Sequence, residues 1–353
     1  MKYRVDRYFI ADIKLRILNI TTIEKFDSKK MYKIYDEWPN IARKSWERNY
    51  DKFEVKGVKH IIFAGMGGSG TLGDFFAAIL SKTNLHVNVV KGYILPKNVT
   101  SKTLIVISTV SGNTSETLEI LKSAKKIGCN IIVFSSGGKI EKYCKKNKIN
   151  FRKVAKFNSP RASLVSYLYS MLNVLEKNLP VQKGNINNSI KKLEETKMNI
   201  SSDNLTKTNI SLNLALWINN IPIIYYPWGL ETAATRFKNA LQENAKNHAI
   251  VEDVVETSHN GIVAWERKTS IQPILIQGED DNVKTKERWK IFEKYFLKNN
   301  INYKVIKSGK GDIITKLINL IYVLDYSSIY FSILRKVDPS PVDSIKFIKK
   351  QLS

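Results

Sequence analysis

Between His60 and Ser135 short apolar runs alternate with helix-like periodicities, and that alternation is the tightest constraint on the fold of this chain. "HIIFAGMG" reads as a strand ending in glycines, and "GTLGDFFAAILSK" repeats its apolar residues about every 3.6 positions, as a helix does. "VNVVKG", "TLIVIST" and "CNIIVFSS" are further strands, and "SETLEILKSAKKIG" is a helix stopped by Gly128. Strands this uniformly apolar, joined by helices, pair in parallel with both faces covered. The alternation resumes later with strands "IPIIYYP", "QPILIQG" and "YKVIKSG" separated by helical segments. The expected fold class is α/β: two domains, each a parallel sheet flanked by helices in a flavodoxin-like three-layer sandwich. They are placed at residues 56–182 and 211–353, after a helical leader (1–55) packed on the core, and joined by a polar connection (183–210) that is partly helical around Ile190 to Met198. A chain of 353 residues suits two domains, since single cores stop growing near roughly 250 to 300 residues. In the leader, Pro39 of "YDEWPNIARKSWE" is tolerated if it falls in a first helical turn.

Composition excludes several classes. No apolar run approaches the roughly 18 residues of a membrane helix, and "MKYRVDRYFIADIKLRIL" lacks the apolar core of a signal peptide, so a cytoplasmic protein is expected. Cys129 and Cys144 are the only cysteines and have no CxxC spacing, and the four histidines form no HExxH or HxH pair, so no metal site is expected. Lys and Arg exceed Asp and Glu by 57 to 32, which draws phosphorylated metabolites or polyanions toward the surface. The basic residues are scattered, without a recognition helix or an aromatic RNP-type motif, which argues against a nucleic-acid partner.

Ligands of parallel sheets bind beyond the carboxyl ends of strands, where helix N-termini present free N–H groups. Two loops fit. "GMGGSGTLGD" has the Gly65-x-Gly67-x-x-Gly70 spacing of a dinucleotide loop, but the acid needed about 20 residues on is replaced by Lys91 and Gly92 in "HVNVVKGY". That disfavours NAD, and no cofactor is expected. "STVSGNTSET" offers Ser108, Thr109, Ser111, Thr114 and Ser115; taken alone it reads equally as a helix cap, with Asn113 and Glu116 at capping-pair spacing. Together the two loops would surround one phosphate with hydroxyls and amides.

With these loops, "WPNIARKSWE", "SPRAS", "QENAK", "SHNGIVAWE" and "DPSPVDSIKFIKK" follow in an order that resembles the sugar isomerase (SIS) fold and, within it, the archaeal-type bifunctional phosphoglucose/phosphomannose isomerases, from about residue 32 to the end. The resemblance implies phosphate contacts at Gly68, Ser69, Thr109, Ser111 and Thr114, and catalytic roles for Arg161, Glu243, His259 and Lys349. Val110 stands where the family usually has Tyr, which leaves the packing of that loop open. The implied activity is cofactor-independent interconversion of glucose 6-phosphate or mannose 6-phosphate with fructose 6-phosphate through an enediolate. Glu243 is then the base, Arg161 stabilises the oxyanion, and His259 and Lys349 open the ring. A homodimer is implied, with His259 donated across the interface. Lys346 and Lys350 compete with Lys349 for its role, and Ser340 or a neighbour is implied in accepting the mannose epimer. A sugar-phosphate sensor using the same loops without catalysis is the alternative, although residues 1–55 are short for the DNA-binding domain such regulators carry.

Overall fold

The computed structural model describes residues 18–352 and divides the chain into two compact units: one is Glu37–Lys191, and the other takes the chain up to Asp36 together with everything from Lys192 onward. The first 17 positions of the leader, where the signal-peptide question arose, lie outside the described residues. Helices α1 (Ile20–Phe26) and α2 (Met31–Asp36) belong to the second of these units, and α3 (Trp38–Glu47), with Pro39 in its first turn, to the other.

The unit Glu37–Lys191 is built in chain order from β1 (His60–Ala64), α4 (Gly68–Leu80), β2 (His86–Val90), β3 (Leu104–Thr109), α5 (Ser115–Ile127), β4 (Asn130–Ser135), α6 (Gly138–Lys146), β5 (Asn150–Lys153) and α7 (Leu164–Val174). Its sheet is wholly parallel in the order β2-β1-β3-β4-β5, the flavodoxin-like order. Central β3, "LIVIST", is buried at every position, which is why it reads as an unbroken apolar run. Ile62, Ile105, Ile107 and Val133 pack with Ile120 and Leu121 on one face. The chain leaves β1 toward β2 on one side and reaches β3 on the other, so the loops after β1 and β3 diverge from a topological switch point. The indole Nε1 of Trp38 donates to the Ala162 carbonyl at 3.1 Å and joins α3 to the turn before α7.

The other unit contains β6 (Pro222–Tyr226), β7 (Ile250–Asp253), β8 (Gln272–Gln277) and β9 (Lys304–Lys307), all parallel in the order β7-β6-β8-β9. Between and around them run α9 (Ile210–Trp217), α10 (Glu231–Ala245), the short α11 (Val254–Thr257), α12 (Val283–Lys298), α13 (Ile313–Leu334) and α14 (Asp343–Gln351). An aromatic cluster of Tyr225, Trp265, Trp289, Phe292 and Phe296 fills the space beneath α12. Most of the segment read as a connection is in fact α8 (Lys183–Ile200), within which the division between units falls. Helix α13 corrects one expectation. Its 22 residues, with a mean hydropathy of 1.5 over the most apolar stretch, have the length and composition of a membrane span, yet 94% of that stretch is buried inside the protein. Lys316 and Asp325 interrupt the run and hide it in the sequence.

The cysteines are buried or half-buried thiols, and burial pushes Cys144 up to about 11. Since the thiolate is the reactive form, Cys144 is expected to resist Ellman's reagent at pH 8 in the native protein and to react at once in denaturant. Rapid native labelling at Cys144, read by mass spectrometry, would contradict this burial.

Candidate active site

The first candidate phosphate loop begins where β1 ends. Gly67, at φ +55, turns the chain in the left-handed region that glycine favours, and α4 starts at the next residue. Ser69 is buried in the first turn of that helix, and its carbonyl accepts a hydrogen bond from the Ser108 hydroxyl at the end of β3 at 3.2 Å. This bond ties the two loops together, as neighbouring strands β1 and β3 require. A Cβ on Gly68 would lie 3.5 Å from the Arg161 amide nitrogen, so the "SPRAS" turn runs directly against the helix start. Arg161 is only 2% exposed, which rules out an ordinary surface arginine. Its turn is held by the Ser163 hydroxyl, which donates to the Ser159 carbonyl at 2.9 Å and accepts from the Phe157 amide.

The second loop is not a capping box. Thr114 is the N-cap of α5, no side chain caps it, and Asn113 Oδ1 instead accepts from the Lys139 amide of α6 at 2.9 Å. The first-turn amides of α5 therefore keep their capacity for an anion. Thr109 donates to the Thr114 hydroxyl at 3.3 Å, and the Ser111 hydroxyl accepts from the Asn113 amide. Val110, whose packing was open, is buried, and its carbonyl accepts from the Ser136 hydroxyl at 2.7 Å. Gly112 sits at φ +68, and a Cβ there would come within 1.7 Å of the Gly137 carbonyl oxygen. Sequence reasoning missed these props: Ser136 and Gly137, with Gly138 at the start of α6, form a third loop, after β4, that shapes the second. The signal was present as "SSGG" at a strand end. Lys91, which displaced the expected acid, pairs with Asp74 at 2.6 Å and lies over Gly70.

In the other unit Glu243 is half-buried near the end of α10. Lys246, left-handed at the C-cap, donates through Nζ to the main-chain oxygens of Glu243 and Asp338, both at 2.9 Å, and so links the Glu243 turn to "DPSPV". There the Ser340 amide donates to Asp338 and its hydroxyl reaches Asp27 at 3.5 Å. Two turns before Glu243, buried Arg236 grips Asp325 of α13 with Nη2 to Oδ2 at 2.7 Å and Nε to Oδ1 at 3.2 Å, and Tyr35 of α2 donates to the same carboxylate at 3.0 Å. Burial pushes the Asp325 carboxyl up against the pull of Arg236, and the negative charge of Glu243 acts on both members of the pair. This ionic support was also missed. Its signal was a single acid inside an apolar helix, which demands a buried partner.

His259 is exposed in the turn after α11, its amide donating to the Glu256 carbonyl. Lys349 is exposed on α14, where Lys346 is held by Asp343 at 2.7 Å. Among the described residues no hydrogen bond joins the His259 or Lys349 side chains to Glu243. Helix α14 buries none of its residues, leaving Ile345, Phe347 and Ile348 exposed.

Two parallel sheets, with hydroxyl-bearing loops at the switch point of one, define the SIS architecture. The SIS domain model matches residues 54–175, and the model of the bacterial phospho-glucose isomerase C-terminal SIS domain matches residues 207–352. The C-terminal domain of glucosamine-fructose-6-phosphate aminotransferase from Francisella tularensis shares this fold, with a TM-score of 0.65 at 15% identity over 87% of this chain and 96% of that one. A bifunctional phosphoglucose/phosphomannose isomerase of Caldicellulosiruptor bescii is 29% identical over 92% of this chain and 96% of its own length. One from Aquifex aeolicus is 27% identical over 92% of this chain and 98% of its own. The chain thus carries two SIS domains and is similar over most of its length to bifunctional phosphoglucose/phosphomannose isomerases.

Proposed function

We propose that this chain is a sugar-phosphate isomerase that interconverts glucose 6-phosphate and mannose 6-phosphate with fructose 6-phosphate by acid–base chemistry alone. The observation that carries the reading is the pair of tied loops, with Ser69 and Ser108 linked, the start of α5 left without a side-chain cap, and buried Arg161 against Gly68. In this reading Gly68, Ser69, Thr109, Ser111 and Thr114 hold the 6-phosphate at two helix N-termini, where the dipoles favour negative charge.

Ring opening takes a proton from the C1 hydroxyl and gives one to the ring oxygen, a task for His259 and Lys349, with His259 supplied by a second copy of the chain. Lys349 is preferred to Lys346, which is engaged by Asp343. Glu243 then removes the C2 proton of the open aldose and returns it to C1. One carboxylate serves both carbons because they are adjacent. In the intervening enediolate, charge accumulates on the oxygens of C1 and C2, and the guanidinium of Arg161 stabilises it without losing its own proton.

The deciding experiment is a coupled assay of purified protein with fructose 6-phosphate and EDTA, following both aldose 6-phosphates. Formation of both is expected; absence of both would leave only a sugar-phosphate sensor. Within the same assay Ser69→Ala is expected to raise KM by about 10-fold or more while kcat falls by less than about threefold, because a hydrogen bond to a charged group contributes roughly 1.5 to 3 kcal/mol in ground and transition states alike. An unchanged KM would remove Ser69 from the phosphate contacts.

A further inference from the structure

The unit that carries Glu243 repeats the sheet plan of the other: β8 stands beside β6 as β3 stands beside β1. The loop after β8, "QGEDDN", is therefore the counterpart of the hydroxyl loop "STVSGNT", but it bears carboxylates. They are engaged locally. Asp281 accepts from the Gly278 amide and from Trp289 Nε1, both at 2.9 Å, Asp280 pairs with Lys316, and Asn282 caps α12 through the Lys284 amide. The start of α12 is thus closed to an anion. One turn further along α12 the chemistry reverses.

Here a cavity of about 300 Å³ opens between α12 and the end of edge strand β9, lined by Gln277, Glu279, Lys286, Lys290, Glu293 and Lys307. A volume near 300 Å³ is at the lower end for small-molecule sites. Lys286 and Lys290 are four residues apart on one helix face, and Lys307 is the last residue of β9. Three other lysines of the same unit have acidic partners: Lys284 with Glu287, Lys316 with Asp280, and Lys346 with Asp343. Among the described residues none of the three cavity lysines has an ion pair within 4.0 Å. Like charges at this helical spacing destabilise one another and a third converges from another element; Glu279 and Glu293 in the wall and Asp280 and Asp281 near Lys286 offset part of that cost, and an anion in the hollow would offset more. Glu293 is held by Gln277 Nε2 at 2.8 Å and the Tyr303 hydroxyl at 3.2 Å, which fixes that acceptor in the wall.

We propose that this cavity is a second phosphate-binding site, taking a phosphorylated polyol or sugar of hexose size or smaller. Lys286, Lys290 and Lys307 hold the phosphate through charge-assisted hydrogen bonds, and Glu279 and Glu293 accept hydrogen bonds from the ligand's hydroxyls. Every group involved lies in the unit that lacks the hydroxyl loops, so the site stands independently of them. It also gives part of the chain's excess of basic residues a specific task.

The test is calorimetric titration of the full chain with sorbitol 6-phosphate, which has no carbonyl to isomerise. Wild type is expected to bind two equivalents per chain. Lys290→Ala/Lys307→Ala should lose one of them by about 10-fold or more in affinity while retaining isomerase turnover, and the lost site should weaken as salt rises. Ser69→Ala/Thr109→Val should keep the site that the lysine variant loses. Survival of that site in Ser69→Ala/Thr109→Val, even where wild type binds a single equivalent, supports the lysine cavity and counts against the loops. Unchanged binding by Lys290→Ala/Lys307→Ala, a single site abolished by Ser69→Ala/Thr109→Val, or no binding by wild type overturns the proposal.

Discussion

Glu243→Gln is expected to lower kcat by about 100- to 10,000-fold, the usual contribution of a positioned general base, while KM stays within about threefold. In barrier terms this is roughly 3 to 5.5 kcal/mol. The amide preserves the size of the carboxylate and its capacity to accept a hydrogen bond, but it does not take up a carbon-bound proton. Lys246 caps α10 through the main-chain oxygen of residue 243, a contact that the substitution leaves in place. A second readout separates loss of the base from loss of geometry. In deuterated water the wild-type enzyme should exchange the migrating proton with solvent during turnover, and Glu243→Gln should lose exchange and turnover together. A variant that keeps kcat within about tenfold of wild type would remove Glu243 from the role of base.

The central architecture was legible because burial and sequence pattern coincide there. β1 and β3 are apolar along nearly their whole length since helices cover both faces, and Gly67 and Gly128 mark a helix start and a helix stop by their positive φ. The edge strands β5 and β7 were not legible: "NFRK" and "IVED" are half-exposed and carry charges, so neither an apolar run nor a strict alternation survives. The two loops proposed to hold a phosphate were singled out from glycines and hydroxyls near strand ends, but their supports were not. Nothing local in "VSGN" says that Asn113 will bind α6 rather than cap α5, because that choice is made by Gly137 and Gly138 more than 20 residues later. Arg161 shows the same dependence. After a proline it reads as a surface residue, and it is the packing of Trp38 on the Ala162 carbonyl, across 124 positions of chain, that buries its turn.

Asp325→Asn should be the most destabilising of the substitutions considered, by about 3 to 5 kcal/mol, because it removes the carboxylate ion-paired with the buried Arg236 guanidinium. For a unit of this size that corresponds to a fall in Tm of about 6 to 20 °C. The size of the effect measures the cost of breaking the pair from one side and not the worth of the pair, so the two are separated by removing both partners. Arg236→Met/Asp325→Leu should recover most of the loss, since apolar groups of similar volume avoid desolvating two ions. Tyr35→Phe removes only one neutral donor to the same carboxylate and should cost about 1 kcal/mol. The ordering Asp325→Asn, then Tyr35→Phe, with the double variant near wild type, is what urea unfolding should return. Asp325→Asn within about 1 kcal/mol of wild type would mean that the carboxyl is already protonated in the folded state, the outcome toward which burial drives it. The double variant then gives the activity of Glu243 without the ionic pair behind it. If kcat falls while stability is restored, Arg236 and Asp325 are positioning residues for the base, and if kcat is unchanged their contribution ends at the packing of α10 on α13.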